Sequence, residues 1–378
     1  MKRLGIGVVG CGNIASTYLR NAALFPGVEI RACADMQMEA AQRRASEFGL
    51  RALSVEALLE ADDVDLVLNL TVPNAHFDIS MAALAAGKHV FTEKPLAATA
   101  AEGRQLVAEA KQRKLAIGSA PDTFLGAAGR LARRLVDEGA IGKAVAGTAF
   151  MMGRGMEHWH PSPQFYYQPG GGPVLDMGPY YVTMLVNLLG PAKRVMALSA
   201  SGQAERRISA PGPSHGATFA VGTPTTVMAL VEFVSGAIVT LGMSWDVFRH
   251  GNHPIELHGT EGSLRLPDPD TFGGTVALSR RGDPWEELST AQSLHGRINW
   301  PYDAPDRANY RMLGVADLAR SLGNGTAPRA SGELALHVLE ILEGILRAGE
   351  TGDTVALPES TIRPASLSEA DAATLQDR

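Results

Sequence analysis

Residues 4–15 read LGIGVVGCGNIA, a short apolar run that leads directly into a glycine-rich turn and then into a helical pattern. The apolar run predicts a buried strand, and Gly10, Gly12 and Ala15 take the three small positions of a G-x-G-x-x-A turn. The first glycine permits the tight turn, the second lets the backbone approach a pyrophosphate, and the alanine lets helix and strand pack closely. The helix N-terminus adds free N–H groups and a positive dipole end. The residues expected to hold the phosphates of a dinucleotide are Gly10, Gly12, Asn13 and Ile14.

A second apolar run, from Val28 to Ala34, ends at Asp35. The acid follows Gly12 at close to the spacing of about 20 residues at which dinucleotide folds place a carboxylate on the adenosine ribose. A carboxylate accepts hydrogen bonds from both ribose hydroxyls but repels a 2′-phosphate, so the sequence predicts NAD as the cofactor. NADP stays an alternative, because three basic side chains could fold over the site: Arg31, Arg43 and Arg44.

Apolar runs and helical patterns alternate through the first 120 residues of the chain. Strict alternation of strand and helix is typical of right-handed crossovers and of a parallel sheet covered by helices on both faces. The sequence therefore predicts an α/β chain that begins with a Rossmann dinucleotide-binding domain over residues 1–120.

The pattern changes in the second part of the chain. Residues 227–241 and 255–266 alternate apolar and polar side chains around glycine-containing turns, which predicts antiparallel hairpins. Residues 201–224 are rich in Ser, Gly, Pro and Ala and predict an irregular segment. Helical patterns return over 309–322 and from Ser331, the expected N-cap, to Gly349. We expect an α+β domain over 121–357, whose helices within 309–348 could pack back on the first domain, and a tail over 358–378 without a core pattern.

The composition is that of an ordinary globular protein: 378 residues, 45% hydrophobic and 20% charged, with a formal net charge of −6. A chain without a basic excess does not favour a nucleic-acid partner, and no apolar stretch approaches the ~20 residues of a membrane span. The two cysteines, Cys11 and Cys33, give no disulfide framework and fit a reducing, cytoplasmic compartment. His158 and His160 lack a third ligand at metal-binding spacing, so no metal is expected.

Two further strand ends carry polar side chains. Residues 71–76 read TVPNAH and residues 90–96 read VFTEKPL, each at the end of an apolar run. Ligands of open parallel sheets bind beyond the carboxyl ends of the strands. Lys94, confined between a strand end and a proline, suits a positioned hydrogen-bond donor, although a surface lysine in a turn would give the same pattern. The expected cofactor contacts here are Thr71, Pro73, His76, Glu93 and Lys94.

A third motif follows at residues 170–180, which read GGGPVLDMGPY. The order of glycine loop, strand-end acid, P-N-x-H, E-K-P and G-G-G-x-x-x-D-x-G resembles the glucose–fructose oxidoreductase/inositol dehydrogenase (Gfo/Idh/MocA) family. The resemblance implies a second domain with a large, mostly antiparallel sheet, which often forms homodimers or homotetramers. It also implies that Lys94 is the catalytic lysine, joined to Pro95 by a cis peptide, and that Asp176 orients substrate and lysine.

The sequence departs from the family pattern at Tyr180, where many members carry a histidine acid/base. Tyrosine also transfers protons, but its ordinary pKa is about 10, against about 6.5 for histidine. A nearby Lys94 ammonium would lower the pKa of the phenol, and some members resemble this chain in using a tyrosine here. We expect Tyr180 to transfer the proton. The alternative is that it packs or binds substrate while Lys94 manages the proton.

Residues 154–167 are dense in aromatic and polar side chains, which suit the apolar faces and hydroxyls of a sugar. The function predicted is NAD(P)-dependent hydride transfer between nicotinamide and a carbinol or carbonyl carbon of a sugar, glycoside or polyol. Two alternatives are a non-catalytic dinucleotide-binding ligand sensor and an NAD-dependent glycosidase. The expected substrate contacts are Asp122, Arg154, Trp159, His160, Asp176 and Tyr180.

Overall fold

The computed structural model describes residues 3–302 and 307–376. Within them, the first part of the chain forms a parallel sheet of six strands: β1 (Leu4–Val9), β2 (Val28–Ala34), β3 (Arg51–Leu53), β4 (Leu66–Asn69), β5 (His89–Thr92) and β6 (Ile117–Ser119). They lie in the order β3-β2-β1-β4-β5-β6, and all neighbouring pairs are parallel. The prediction of a Rossmann-type sheet is confirmed. The order reverses between β1 and β4, and open sheets of this kind bind ligands in the crevice at that point.

The helices of this part alternate with the strands, as the pattern predicts. They are α1 (Asn13–Ala22), α2 (Met38–Phe48), α3 (Val55–Glu60), α4 (His76–Ala85) and α5 (Ala100–Arg113). Residues 66–69 are buried throughout, as expected for a strand covered on both faces. The sequence does not predict β3, because three residues are too few to show a period of two.

A second, larger sheet follows. The strands after the first sheet are β7 (Ala144–Met152), β8 (Ala192–Ala200), β9 (Glu205–Arg207), β10 (Thr218–Ala220), β11 (Thr226–Phe233), β12 (Ile238–Ser244), β13 (Ile255–Gly259), β14 (Gly262–Leu266), β15 (Thr275–Arg280), β16 (Glu286–Ser289) and β17 (Val355–Ala356). Nine of them form one sheet in the order β16-β15-β14-β13-β7-β12-β11-β8-β17. Across this sheet in the described residues, β7 and β12 are parallel and the other neighbours are antiparallel. The prediction of a large, mostly antiparallel sheet is confirmed.

Both predicted hairpins are present in this sheet. β11 pairs with β12 across a turn in which Gly236 has φ 90°, and β13 pairs with β14 across Thr260 and Glu261. The segment 201–224, expected to be irregular, contains the short antiparallel pair of β9 and β10. Each strand of this pair has three residues, which is too short for an alternating pattern to be recognised in a Gly- and Pro-rich sequence.

One face of the large sheet packs against helices. α6 (Ala127–Asp137) and α7 (Pro173–Leu189) lie on this side, and α7 is buried along nearly its whole length. α8 (Leu313–Asn324) and α9 (Gly332–Thr351) follow the sheet in sequence, and α9 contacts both β8 and α5. Helix α9 also contacts β6, so it touches strands of both sheets.

The bounds of the last helices differ from the sequence expectation. Ser331 caps α9 as predicted, because its side chain accepts the N–H of Leu334. The helix runs past Gly349 and is ended by Gly352, whose φ of 78° suits a left-handed C-cap. A Cβ at Gly349 would lie 3.0 Å from the Cβ of Ser199, so this glycine permits close packing on β8 instead of ending the helix.

The chain after Leu357 packs on the protein, although its sequence shows no core pattern. Helix α10 (Glu369–Gln376) contacts α8. Glu369 pairs with Arg130 at 3.0 Å and Asp371 with Arg329 at 3.5 Å. The apolar side chains are too few and too widely spaced to mark a helical face; those that are buried are Leu367, Ala372 and Leu375. Among the helices of the described residues, none is long and apolar enough to cross a membrane.

Candidate active site

The glycine turn after β1 has the geometry that a dinucleotide needs. Gly10 has φ 100°, and a Cβ there would lie 2.6 Å from the backbone of Leu70, so only glycine fits. A Cβ at Gly12 would meet nothing within 4 Å, which leaves open space above the backbone. Helix α1 begins at Asn13, and Ala15 is fully buried against the strand. The turn and the helix N-terminus therefore leave room for a pyrophosphate.

Asp35 lies beside this turn at the end of β2. Its carboxylate accepts the N–H of Cys11 at 2.8 Å and the N–H of Gln37 at 2.9 Å, which fixes its position. Three arginines made NADP an alternative cofactor. Arg31 pairs with Glu29, and Arg43 is exposed. Arg44 donates to two carbonyl oxygens of the turn and to Glu47. Beside the glycine turn lies a cavity of about 560 Å³, which Arg31 does not border. Its lining residues are Cys11, Gly12, Asn13, Asp35, Gln37, Ala40, Arg43, Arg44 and Glu47.

The loop after β4 is tied to the loop after β5 through His76. The two ring nitrogens of His76 lie 2.6 Å from the carbonyl oxygen of Pro95 and 3.0 Å from that of Thr71. Burial lowers the pKa of His76, although these carbonyls act in the opposite direction. His76 is fully buried and joins the two loops, and its contact with the cofactor stays a prediction. Thr71 is half-buried and Pro73 is exposed, so both stay available to a cofactor.

Glu93 fixes the backbone at the end of β5. Its carboxylate accepts the hydroxyl of Tyr18 at 2.7 Å and the N–H of Lys94 at 2.9 Å. The peptide bond between Lys94 and Pro95 is cis, as the resemblance implies. Glu93 is 9% exposed, so its main contacts are with the protein. The lysine therefore leaves the strand end in a fixed direction.

The side chain of Lys94 reaches the first turn of α7. Its Nζ donates to the carbonyl oxygen of Asp176 at 2.6 Å and to Asp176 Oδ1 at 3.0 Å, and it lies 5.3 Å from the ring centre of Tyr180. Asp176 and Tyr180 are four residues apart on one helix and so share a face. Burial acts to lower the pKa of Lys94, but Asp176, Tyr180 and Glu93 outweigh it and raise the pKa. Lys94 is therefore a charged hydrogen-bond donor.

Tyr180 is buried at the same place, with 7% of its surface exposed. Burial raises its pKa most strongly and Asp270 raises it further, while Lys94 and Arg311 lower it by less. Lys94 therefore lowers the pKa of Tyr180, as expected, but burial outweighs it and the net shift of the pKa is upward. The phenol is protonated at neutral pH.

The structure brings a further cation, Arg311, to this site. Arg311 Nη2 lies 3.4 Å from Tyr180 Oη and 2.7 Å from Asp270 Oδ1. Neither Arg311 nor Asp270 belongs to a motif that sequence reasoning found. Arg311 lies 131 positions from Tyr180 in the chain, so no local pattern links them.

Asp122 is buried near the site, close enough to Arg311 and Glu93 for both charges to act on its pKa. Its Oδ2 accepts the N–H groups of Met312 at 3.2 Å and Gly314 at 2.8 Å, and the residue is 1% exposed. Burial raises its pKa to about 6. Asp122 thus holds the backbone at the start of α8, and its contact with substrate stays a prediction.

The segment 154–167 is anchored by a buried arginine. Arg206 on β9 pairs with Glu157 at 2.6 Å and with Asp246, and Tyr167 donates its hydroxyl to Glu157. Arg206 belongs to the segment 201–224, and its buried charge is balanced by the two carboxylates. These contacts hold one side of the segment 154–167 against the large sheet.

The other side of this segment carries exposed aromatic rings. Trp159 is 54% exposed, and its ring centre lies 5.3 Å from that of His160, which lies 5.5 Å from Tyr166. Tyr166 lies close enough to the pair of Lys94 and Asp176 for both charges to act on its pKa, which burial raises. The aromatic row thus runs outward from the lysine–aspartate pair. Arg154 is exposed, as a substrate contact would be.

In residues 3–302 and 307–376, no group of three or more His, Cys, Asp or Glu side chains is arranged to hold a metal ion.

Comparison with known proteins identifies the family. A profile described as oxidoreductase family, NAD-binding Rossmann fold, matches residues 4–120, and one described as the GFO/IDH/MocA C-terminal domain matches residues 130–265. The chain is 30% identical to a dTDP-3,4-didehydro-2,6-dideoxy-alpha-D-glucose 3-reductase of Streptomyces violaceoruber, over 92% of this chain and 96% of that protein. It is 26% identical to a 1,5-anhydro-D-fructose reductase of Ensifer adhaerens, over 93% and 98% of the two chains.

Solved structures agree on the fold. A levoglucosan dehydrogenase in complex with NADH and levoglucosan superposes with a TM-score of 0.80 at 22% identity, over 95% of this chain and 100% of that one. Together with the glycine turn, the strand-end aspartate and the lysine–aspartate pair, the two profile matches show that the chain belongs to the Gfo/Idh/MocA family and is an NAD-binding oxidoreductase.

Proposed function

We propose that the protein transfers a hydride between nicotinamide and a carbinol or carbonyl carbon of a sugar, glycoside or polyol. The observation that carries the proposal is the contact of Lys94 with Asp176 and Tyr180 at the carboxyl edge of the dinucleotide-binding sheet. The residues proposed to act directly are Lys94, Asp176 and Tyr180. Relatives named as sugar reductases and as levoglucosan and inositol dehydrogenases support the substrate class.

NAD, when bound, supplies or accepts the hydride. In the reducing direction, Tyr180 gives its phenolic proton to the carbonyl oxygen while Lys94 donates a hydrogen bond to the same oxygen. Asp176 holds the ammonium in place through its carboxylate and its carbonyl. In the oxidising direction the phenolate must take the proton back. The two roles differ because Lys94 keeps its proton, whereas Tyr180 exchanges one.

We propose that the substrate lies between this pair and the aromatic row of the 154–167 segment. Trp159 and His160 offer ring faces to a sugar, and Arg154 offers hydrogen-bond donors. Tyr166 joins this group on its proximity to Asp176 and Lys94. In this proposal, residues 1–120 bind the cofactor and residues 121–357 form the substrate site.

The test of the proposal is turnover of a panel of monosaccharides, glycosides and inositols, and their keto forms, with NAD, NADP and the reduced cofactors. We expect a change in reduced-nicotinamide absorbance with at least one sugar or polyol. Cofactor binding without turnover in either direction would contradict the proposal and favour a ligand sensor. Glycoside hydrolysis without net change in absorbance would favour an NAD-dependent glycosidase.

The position of Asp35 predicts how the cofactor is chosen. Asp35→Asn removes the charge that repels a 2′-phosphate and weakens acceptance of the ribose hydroxyls, so NAD affinity is expected to fall about 10- to 100-fold. NADP affinity is expected to stay level or rise. Calorimetry on the variant and on Asp62→Asn, an exposed aspartate elsewhere, measures both. An equal loss of affinity for NAD and NADP would contradict a role of Asp35 in choosing between the two cofactors.

We propose that the protein is a homodimer or homotetramer that associates through the outer face of the large sheet. Strands β8 and β11 pair there and leave a contiguous apolar patch exposed, with exposures of 40–74%: Met196, Leu198, Met228 and Leu230. Exposed apolar patches of this kind mark association surfaces.

Cys11 and Cys33 are both free and buried, and we propose a reducing, cytoplasmic compartment on that ground.

The patch makes a testable prediction. The double change Leu198→Glu and Leu230→Glu places two charges in the proposed interface, and we expect the oligomer to dissociate into monomers. Light scattering at micromolar protein measures the mass, with Val234→Glu, exposed beyond the end of β11, as the control. An unchanged mass for the double variant would show that the face is not the interface.

A further inference from the structure

An arginine meets the hydroxyl of Tyr180 from another part of the chain, and an aspartate from a third part pairs with that arginine. Arg311 Nη2 lies 3.4 Å from Tyr180 Oη, at the long end of hydrogen-bond distance, and 2.7 Å from Asp270 Oδ1. The side chain of Arg311 is 14% exposed and that of Asp270 is 20% exposed. Asp270 lies between β14 and β15, and Arg311 directly precedes α8. Nothing in the motifs of the site assigns either residue a role.

The backbone that carries Arg311 is held in an unusual conformation. The next residue, Met312, has φ 109°, a left-handed value that residues other than glycine rarely adopt. The N–H groups of Met312 and Gly314 both donate to Asp122, and a Cβ at Gly314 would lie 2.7 Å from the Cβ of Asp122. Such strained positions persist where the surroundings fix them, and they cluster at functional sites. Asp122 thus fixes the backbone next to Arg311, whose guanidinium lies beside the phenol.

The charges around Tyr180 act in opposite directions. Lys94 faces the ring and Arg311 faces the hydroxyl, and both favour the phenolate. Asp270 and Glu93 disfavour it, and Asp176 on the same helix is bonded to Lys94. The hydroxyl therefore lies at the end of a chain that runs from carboxylate to guanidinium to phenol.

We propose that the pair of Arg311 and Asp270 positions the hydroxyl of Tyr180 and sets how readily it gives up its proton. The inference rests on the proposed role of Tyr180 in proton transfer. When Tyr180 gives its proton to the substrate oxygen, the O–H bond of the phenol breaks, a new O–H bond forms on the substrate, and negative charge is left on the phenolate. Arg311 stabilises that charge, and Asp270 limits the stabilisation so that the phenol can be protonated again from solvent.

The test replaces Tyr180 with difluorotyrosine, whose more acidic phenol titrates at lower pH, and follows its protonation by fluorine NMR in the full-length protein with NADH. We expect Arg311→Gln to move the titration up by about one pH unit and Asp270→Asn to move it down by about one. Arg311→Lys keeps a cation there and is expected to recover most of the shift. Arg307→Gln is the matched control, because Arg307 approaches Asp270 only at 3.9 Å and is 52% exposed.

Opposite shifts in the two variants would support the inference, while unmoved titrations or shifts of the same sign would overturn it. The readout needs no turnover, so it separates the inference from the proposed function. If the titrations shift as expected but Tyr180→Phe leaves turnover unchanged, the proposed role of Tyr180 fails, and with it the catalytic purpose of the pair. If Tyr180→Phe abolishes turnover and the titrations do not move, only the pair is refuted. Melting temperatures of all variants guard against loss of fold.

Discussion

Replacing Lys94 by methionine is expected to lower kcat by about 10²- to 10³-fold, the loss typical when a donor to a developing oxyanion is removed. Methionine keeps most of the length of the side chain but carries no charge and no N–H donor. It also leaves Asp176 without its cation. Steady-state kinetics with a substrate from the panel measures the effect. Because Lys94 is also an expected cofactor contact, NADH affinity is measured beside kcat.

The matched control is Lys111→Met, which removes an exposed lysine on α5. Its kcat is expected to equal that of the wild type. If Lys94→Met retained more than about a tenth of the wild-type kcat, a loss of less than about 1.4 kcal/mol in transition-state stabilisation, the role assigned to the lysine would be wrong.

Replacing Tyr180 by phenylalanine is expected to lower kcat by about 10²- to 10⁴-fold, the range for loss of a general acid or base.

The raised pKa of Tyr180 predicts how the rates of the wild-type protein depend on pH. Oxidation needs the phenolate, whose fraction is small at neutral pH and grows with pH, so kcat/KM for oxidation is expected to rise across the whole range in which the protein is folded. Reduction needs the phenol and is expected to stay level over the same range.

Tyr181→Phe is the matched control, because it removes a hydroxyl from the next residue of α7, whose buried ring packs in the core. It is expected to keep both the rate and the pH dependence. A Tyr180→Phe variant with the wild-type rise in oxidation would show that another group carries the proton. A wild-type oxidation rate that levels off near neutral pH would show that the pKa of the acting group is not raised.

Sequence reasoning found the residues whose roles depend on local chain geometry. The glycine turn, Asp35 and the lysine before Pro95 lie at strand ends that periodicity alone predicts, whereas Asp176 and Tyr180 were singled out by the resemblance to the Gfo/Idh/MocA family. Such features need only a few consecutive residues. They account for the prediction of the Rossmann sheet. The order of its strands was not predicted, because it depends on pairing between distant parts of the chain, and the roles proposed for Lys94 and Asp176 come from the family resemblance.

Residues whose roles depend on distant contacts were found only in the structure. Arg311 meets Tyr180 across 131 positions, and Asp122 serves the backbone of α8 across 190 and 192 positions. A buried polar side chain and one that faces a substrate look alike in a single sequence, so the sequence did not show that His76 and Asp122 bond backbone groups of other segments. The C-terminal helix was missed for a related reason, since its few apolar residues are buried by partners far along the chain.

The most direct test of the central claim follows a labelled hydride. The full-length protein is incubated with NADH that carries deuterium at the transferred position and with a panel of keto sugars, and the products are examined by mass spectrometry and NMR. We predict one deuterium on the carbinol carbon of at least one product, formed by the wild type and by Tyr181→Phe but strongly slowed in Lys94→Met and Tyr180→Phe. NADH that binds but delivers no deuterium to any sugar, or delivers it equally well in all four proteins, would contradict the account.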